Sequence, residues 1–278
     1  MNILITGING FLGRNLIRIL EGNVLIGLDI EEGEIDGVPI FSSRNIQELS
    51  FPVDVVIMCH ASVSSGTYHV ENDLLYNVNV RVTRSIVEKY SKASLIYVST
   101  TSIYDPTDDV ITEISKEKPL NSYSLSKLWG EHEVLKSHRG VVLRLSSMFG
   151  RDMKQNTIIP NYVNQAIEFG KITVWGDGSR LQNYIHVDEV GRYIQKIIQS
   201  FDKCTSKILL GVSSNECSNK ELAELISSIR NASICFAHED TSVSVHFNNR
   251  ATNSLLNYVP SLNLENRLIE YISWKENA

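Results

Sequence analysis

The chain has 278 residues, 42% of them hydrophobic, and 26 Lys and Arg against 32 Asp and Glu give a net charge of −6. That length buries a full core, as one large or two smaller domains, and the composition is that of a globular protein. The acidic balance without a Lys/Arg run argues against a nucleic-acid-binding face, and the absence of an apolar run near the about 18 residues of a span argues against a membrane protein.

Met1 to Thr6 reads Met-Asn-Ile-Leu-Ile-Thr, a short apolar run suited to a buried parallel strand. Thr6-Gly7-Ile8-Asn9-Gly10-Phe11-Leu12-Gly13 follows, and Arg14 to Leu20 has helical periodicity. A glycine-rich turn between a strand and a helix N-terminus is an anion site, because free backbone N–H groups and the positive end of the helix dipole face a pyrophosphate. Gly7 turns tightly, Gly10 lets a phosphate approach the backbone, and Gly13 lets the helix pack on the strand. A second apolar run, Val24 to Leu28, ends at Asp29, sixteen residues past Gly13. A carboxylate there accepts both ribose hydroxyls of NAD and repels the 2′-phosphate of NADP, so NAD is the expected cofactor.

Further strands are predicted near 38–41, 54–59, 94–99 and 141–145, and helices near 11–20, 71–91 and 122–138, with at most two helical turns in Arg44 to Ser50. The alternation predicts an α/β fold with a doubly wound parallel sheet. His60 stands at the carboxyl end of the strand from Asp54 to Ala61, where ligands lie in such sheets; packing near the dinucleotide is the expected role, a catalytic or metal role the alternative. Asn77, Asn79 and Arg81 interrupt an otherwise apolar helix, where an Asn turned to the sheet orients polar groups beneath the cofactor.

The strand from Ser94 ends in four consecutive hydroxyl residues, Ser99-Thr100-Thr101-Ser102. These either cap their own backbone or place a hydroxyl on the reacting oxygen of a substrate. Tyr123-Ser-Leu-Ser-Lys127 puts a phenol and an ammonium four residues apart, hence on one helix face and within reach of one ligand. A base working near neutrality needs the tyrosine lowered by about three pH units from its ordinary value near 10, and a nearby cation does that.

Past Gly150, Thr157 to Phe169 reads as a helix, Ile172 to Trp175 as a strand, 188–200 as a return to the first domain, Ile208 to Leu210 as a strand, and 218–230 and Leu262 to Trp274 as helices. Tyr258-Val259-Pro260 breaks the chain before the last. Cys59, Cys204, Cys217 and Cys235 lack CxxC spacing and His neighbours at ligand spacing, so no metal is expected. They are expected as thiols in a reducing cytosol, and the start directly on a strand leaves no room for a signal peptide; a cytoplasmic protein is expected.

Together TGINGFLG, Asp29, the Ser99-Thr100 strand end and Tyr123-xxx-Lys127 resemble the extended short-chain dehydrogenase/reductases, the NAD-dependent epimerases, dehydratases and ketoreductases of sugar nucleotides. Asn79-Val-Arg-Val-Thr83 resembles the family's NVxGT helix, with Val82 where Gly is usual, and Leu143-Arg-Leu-Ser-Ser-Met-Phe-Gly150 resembles LRxxNxxG. Trp175 to Asp188 resembles GDGxxxRDFxxVxD, and Cys217 to Ile226 the S-x-x-E-L helix.

The resemblance implies a Rossmann sheet in residues 1–150, to which the chain returns around 184–212, and a smaller C-terminal α/β substrate lobe in 151–278. It implies catalytic Tyr123, Lys127 and Thr100. It places the cofactor on Gly7, Asn9, Gly10, Phe11, Leu12, Gly13, Asp29, Ile30, Ser43, Cys59, His60, Ala61, Asn79, Ser99, Tyr123 and Lys127. Its substrate positions are Ser62, Thr100, Thr101, Ser147, Arg180 and Gln182. Ser147 replaces the family's diphosphate-contacting Asn and Gln182 its diphosphate-clamping Arg, with Arg180 a candidate substitute; Thr101-Ser102 stands where 4,6-dehydratases carry Asp-Glu. Water elimination is therefore not expected. A nucleotide-sugar epimerase, acting at C4, is the expected activity, with a 4-ketoreductase and a non-catalytic dinucleotide-sensing protein as alternatives. The family commonly dimerises through two helices; here Leu74, Leu75, Val78, Val82, Leu128, Trp129 and Leu135 add apolar surface, so a homodimer is expected.

Overall fold

The computed structural model describes residues 1–64, 69–107, 110–214 and 216–277. Its first half runs β1 (Asn2–Thr6), α1 (Phe11–Ile19), β2 (Val24–Asp29), β3 (Gly33–Ile35), β4 (Val38–Ser42), β5 (Val55–Met58), α2 (Asn72–Tyr76), α3 (Thr83–Lys89), β6 (Ser94–Thr100), α4 (Ser122–Leu135), β7 (Gly140–Leu145) and β8 (Ser147–Phe149). The second half runs α5 (Ile158–Phe169), β9 (Lys171–Trp175), β10 (Leu181–His186), α6 (Val187–Gln199), α7 (Phe201–Cys204), β11 (Ile208–Gly211), β12 (Glu216–Ser218), α8 (Asn219–Arg230), β13 (Ser233–Ala237), α9 (Arg250–Leu256) and α10 (Leu264–Glu276).

An eight-stranded sheet in the order β11-β7-β6-β5-β1-β2-β4-β3 forms the centre, parallel throughout except for β3. Its inner strands read as continuous apolar runs because both faces are covered. Ile3, Ile5, Ile57 and Ile96 pack with Leu12 and Leu16 of α1 and Val190 and Ile194 of α6. On the other face Leu4, Val56, Met58 and Leu95 pack with Ile86 of α3 and Val134 of α4. β2 and β5 leave β1 on opposite sides, so the strand order reverses at β1, and the crevice at its carboxyl end is where such sheets bind ligands.

A second core gathers α5, α8 and α10 around β9, with Tyr162, Val163, Ile172, Val174, Leu222 and Tyr271 among its buried residues. Its strands form two small sheets, β12-β10-β8 and β13-β9. Phe11, the first residue of α1, packs against both cores. Among the described residues no helix is long and apolar enough to cross a membrane.

The predicted elements sit within a few residues of their observed counterparts. β3 lies where no strand was predicted, and the helical turns expected within Arg44 to Ser50 take the form of the 3-10 turn Ser43–Glu48. The helix predicted near 71–91 widens into a π-helical stretch over Asn77–Val82. β8, β10, β12 and β13 and helices α7 and α9 were not expected as elements, and α6 fills the stretch read only as a return to the first domain; the unpredicted strands, of three to six residues, pair with distant segments and carry little periodicity of their own.

Candidate active site at the carboxyl edge of the sheet

The glycine turn is constrained by backbone. Gly7 has φ +68, and a Cβ there would lie 2.7 Å from the backbone N and Cα of His60; one on Gly13 would lie 2.4 Å from the Gly7 carbonyl oxygen. A Cβ on Gly10 would meet that oxygen at 3.1 Å. Gly10 is the N-cap of α1 and offers no side chain to cap it, so the first N–H groups of the helix stay open to an anion.

Asp29 closes this turn from β2. Its Oδ2 accepts from Asn9 N–H at 2.9 Å and its Oδ1 from Ile30 N–H at 2.8 Å, leaving further lone pairs on a half-buried carboxylate. Ser42, which sequence reasoning missed, ties the neighbouring positions together. Its hydroxyl donates to the Ile30 carbonyl at 3.2 Å and accepts from Arg44 N–H, and Ser43 starts the 3-10 turn beside it.

Beyond β5 come Cys59, His60, Ala61 and Ser62. His60 bridges Thr6 Oγ1, 2.5 Å from Nδ1, and Thr83 Oγ1, 3.1 Å from Nε2. Burial, with the Lys127 charge adding, draws its pKa down to about 3, and burial pushes the Cys59 thiol up to about 12. A neutral imidazole satisfied on both nitrogens braces the strand end before the glycine turn. Asn79, fully buried on the π-helical stretch, accepts from Ser62 N–H at 2.8 Å and donates to Ser62 O and Ser126 Oγ, both at 2.9 Å. It thereby links the β5 loop to α4.

α4 starts from Asn121, whose side chain accepts the Ser124 N–H at 2.9 Å. Tyr123 lies in the first turn, half-buried, and Lys127 one turn later is 2% exposed. Lys127 Nζ donates to Val98 O at 2.8 Å and sits 4.0 Å from the Tyr97 ring centroid. Burial draws Lys127 down to about 7, opposed by Glu131 and then Cys59. Burial pushes Tyr123 up to about 12, opposite to the lowering a base requires, because desolvation disfavours the phenolate. The lowering therefore has to come from charge brought by a ligand or held on Lys127.

Thr100 ends β6; its Oγ1 accepts from Ser102 N–H at 3.2 Å and lies 3.0 Å from Ser102 Oγ, which in turn accepts from Ser124 Oγ at 3.0 Å. Ser99 Oγ is buried without a partner among the described residues. Thr100, Thr101, Ser147, Arg180 and Gln182 share one cleft of about 500 Å³. Arg180 Nε donates to Val243 O at 3.4 Å, while Gln182 Nε2 donates to Asn219 Oδ1 at 2.7 Å. Asn219 donates on to Asp240 at 3.3 Å. Thr241, Ser242, Val243, Val245 and Phe247 close the cleft and carried no sequence signal. Asn121, three residues before Ser124, had one: an N-cap residue opening a helix.

A model described as NAD dependent epimerase/dehydratase family matches residues 3–211. The chain is 27% identical over 207 residues, 64% of its length, to a dTDP-D-glucose 4,6-dehydratase of Dictyostelium discoideum, of which 45% is covered. It is 29% identical over 53% of its length to a methionine adenosyltransferase 2 subunit beta of Danio rerio, of which 48% is covered, so it spans about half the length of these two relatives. A GDP-6-deoxy-D-talose 4-dehydrogenase of Aggregatibacter actinomycetemcomitans is 27% identical over 72% of both chains. Among solved structures, the UDP-glucuronic acid 4-epimerase of Bacillus cereus in complex with UDP-glucuronic acid and NAD superposes with a TM-score of 0.85 at 19% identity, covering 100% of this chain and 99% of that one, and shows the same fold.

Proposed function

Because the chain belongs to the NAD-dependent epimerase/dehydratase family, we propose that it is an NAD-dependent nucleotide-sugar epimerase acting at C4. One observation carries the reading. Tyr123 and Lys127 share a face of α4, and Lys127 is fixed to Val98, two residues before Thr100, at the edge where the glycine turn also opens.

The residues present fit the cofactor: an uncapped helix N-terminus follows a glycine whose missing side chain leaves room for a phosphate, and Asp29 stands where ribose hydroxyls arrive. NAD supplies a hydride acceptor and donor at its nicotinamide ring. The α1 N–H groups hold the pyrophosphate, and Asp29 accepts the ribose hydroxyls and repels a 2′-phosphate. Lys127 holds the second ribose and, with its charge, brings Tyr123 down toward neutrality. Tyr123 would take the proton of the sugar hydroxyl and later return it to the same oxygen, and Thr100 would hydrogen-bond that oxygen throughout.

In this reading residues 1–150 with 184–212 hold the dinucleotide and the rest mainly holds substrate. Of the residues expected on a homodimer face, Leu75 is buried and Val82 and Leu135 pack against the core, while Leu74 and Trp129, 50% and 46% exposed, remain for it together with Leu125, 54% exposed; light scattering should give twice the 31.3 kDa chain mass, and a clean monomer at micromolar concentration counts against it.

The likeness to the talose 4-dehydrogenase favours a second reading, a 4-ketoreductase that performs half of this cycle. Purified protein incubated with UDP-, GDP- and dTDP-sugars separates the two. Interconversion of stereoisomers by NMR, without added cofactor or net absorbance change at the reduced-nicotinamide band, is expected. Stoichiometric NADH or NADPH consumption on a 4-keto sugar overturns it in favour of the reductase. Tyr123→Phe should lower turnover 10²–10⁴-fold, to within about those limits, while NAD still binds; retention of more than about a tenth of the rate excludes Tyr123 as the acid–base group.

A further inference from the structure

Behind Lys127 lies a row of buried charges that the mechanism above leaves unused. Glu131 follows Lys127 by four residues on α4, hence on the same face. Its carboxylate takes Arg144 Nε at 3.0 and 3.2 Å and Nη2 at 2.6 Å. Arg144, on β7, also pairs with Glu117 and stacks on the Tyr104 ring at 4.6 Å. Lys127, Glu131 and Arg144 are 2%, 1% and 0% exposed, whereas the Glu117 side chain is 34% exposed. With Lys127 charged the row holds two cations and two carboxylates and is neutral; with Lys127 uncharged it is left with one net negative charge out of water.

A buried ion pair is weak evidence of a stabilising role, since apolar side chains of the same volume often do as well. The lysine supplies a better reason for this one. Tyr123 lies four residues before it on the same helix, Tyr97 faces it from β6, and Cys59 and His60 from the end of β5. Tyr97 and the Cys59 thiol are pushed up by burial and His60 is drawn down to about 3, so these groups are neutral at neutral pH. Of the groups facing Lys127, Glu131 is the one that brings negative charge, and it opposes the desolvation of the ammonium.

Resting on the role given to Lys127 above, we propose that Glu131 is a positioning residue: tethered by Arg144, it supplies the counter-charge that keeps Lys127 protonated against the ribose site and Tyr123. Glu117 divides the Arg144 guanidinium between two carboxylates and so leaves more of the Glu131 charge for Lys127. Glu117 also bridges backbone to Tyr104, which lines the substrate cleft, and this joins the outer end of the row to the cleft wall.

Two readouts test this. The Cε resonance of Lys127, in protein labelled with ¹³C-lysine and assigned with Lys127→Arg, reports its titration without cofactor. NAD affinity measured by calorimetry from about pH 4.5 to 9.5 reports the same charge in use. Glu131→Gln should move both midpoints down by about one pH unit or more, weakening NAD binding by about tenfold above the wild-type midpoint and leaving the acidic plateau unchanged. Glu131→Asp, which keeps the charge, should return the midpoint to within about 0.3 pH units of wild type. Glu117→Gln, at the partly exposed end, should move it in the same direction by less, and it carries the test where Glu131→Gln does not fold. Midpoints that stay put in the Gln variants, or move equally in Glu131→Asp, overturn the proposal. Wild-type protein that fails to bind NAD at any pH, while the Lys127 resonance still shifts in Glu131→Gln, overturns the functional reading and leaves this one standing.

Discussion

At the glycine turn the nearest neighbours are backbone atoms: the Gly7 carbonyl and Ile8 crowd the missing Cβ of Gly13, and the His60 main chain crowds that of Gly7. At the far wall of the cleft the contacts run between side chains, Gln182 to Asn219 and Asn219 to Asp240. Backbone cannot step aside, so Gly7 and Gly13 leave no room for a side chain. Side chains can rotate, shorten or exchange partners, so the wall accommodates Gln182 and Ser147 where the resembling family carries Arg and Asn. The two regions therefore differ in how strictly each demands its residues, and substitutions can measure that difference.

The largest effect is expected at Gly13. Gly13→Ala forces a Cβ to within 2.4 Å of a carbonyl oxygen that belongs to the same turn. The helix start and the strand end must separate, which costs about 3 kcal/mol of stability, at the upper end for overpacking, and about 100-fold or more in NAD affinity. Denaturant unfolding and calorimetry read the two. Gly10→Ala makes the comparison sharper, because the backbone there has φ −77 and the added methyl meets only the Gly7 oxygen at 3.1 Å. It should leave stability within about 1 kcal/mol, as expected for a minor steric change, and weaken NAD mainly by standing in the phosphate's path. If Gly13→Ala binds NAD within about threefold of wild type, the turn is not backbone-limited and the comparison fails.

The same difference decides what could be read before the structure. The turn is local: three glycines at fixed spacing, a strand before and a helix after, and Asp29 on the next strand. Each requirement leaves its mark within thirty residues of the N-terminus. Tyr123 and Lys127 were legible for a similar reason, since one helical turn relates them. The protonation of that pair was not legible. Tyr123 pushed up to about 12 and Lys127 drawn down to about 7 are consequences of burial, which depends on strands far away in sequence.

The Glu117–Arg144–Glu131 row, the His60 bridge between Thr6 and Thr83, and the Asn79 link from Ser62 to Ser126 were hidden for the same reason: every one joins separate elements. Short strands such as β8 and β12, three residues each, exist because β10 lies between them, and a three-residue run has no period to detect. The cleft wall from Thr241 to Phe247 is held by backbone bonds to Leu181 and Ile111 and by Glu216, again partners that no local pattern names.

The smallest effect is expected at Gln182, and it tests the other side of the comparison. Gln182→Ala deletes the 2.7 Å hydrogen bond to Asn219 Oδ1 at a half-buried position. Asn219, 3% exposed behind Gln182, keeps its bond to Asp240, and because Gln182 lines the cleft its truncation should let cleft water onto the released amide oxygen, so no polar group is stranded. The loss is that of one neutral hydrogen bond, about 0.5–1.5 kcal/mol. For a chain of this size that lowers the melting temperature by about 2–5 °C. NAD affinity should stay within about twofold, because Gln182 lines the cleft with Arg180 and Asn183 rather than the glycine turn. A melting shift as large as that of Gly13→Ala, or a matching loss of NAD affinity, would mean that the Gln182–Asn219–Asp240 chain holds the cleft wall as rigidly as backbone holds the turn. The wall would then be as intolerant of substitution as the glycines are, and the replacement of Arg by Gln at this position would have to be read as a requirement of this protein's own substrate.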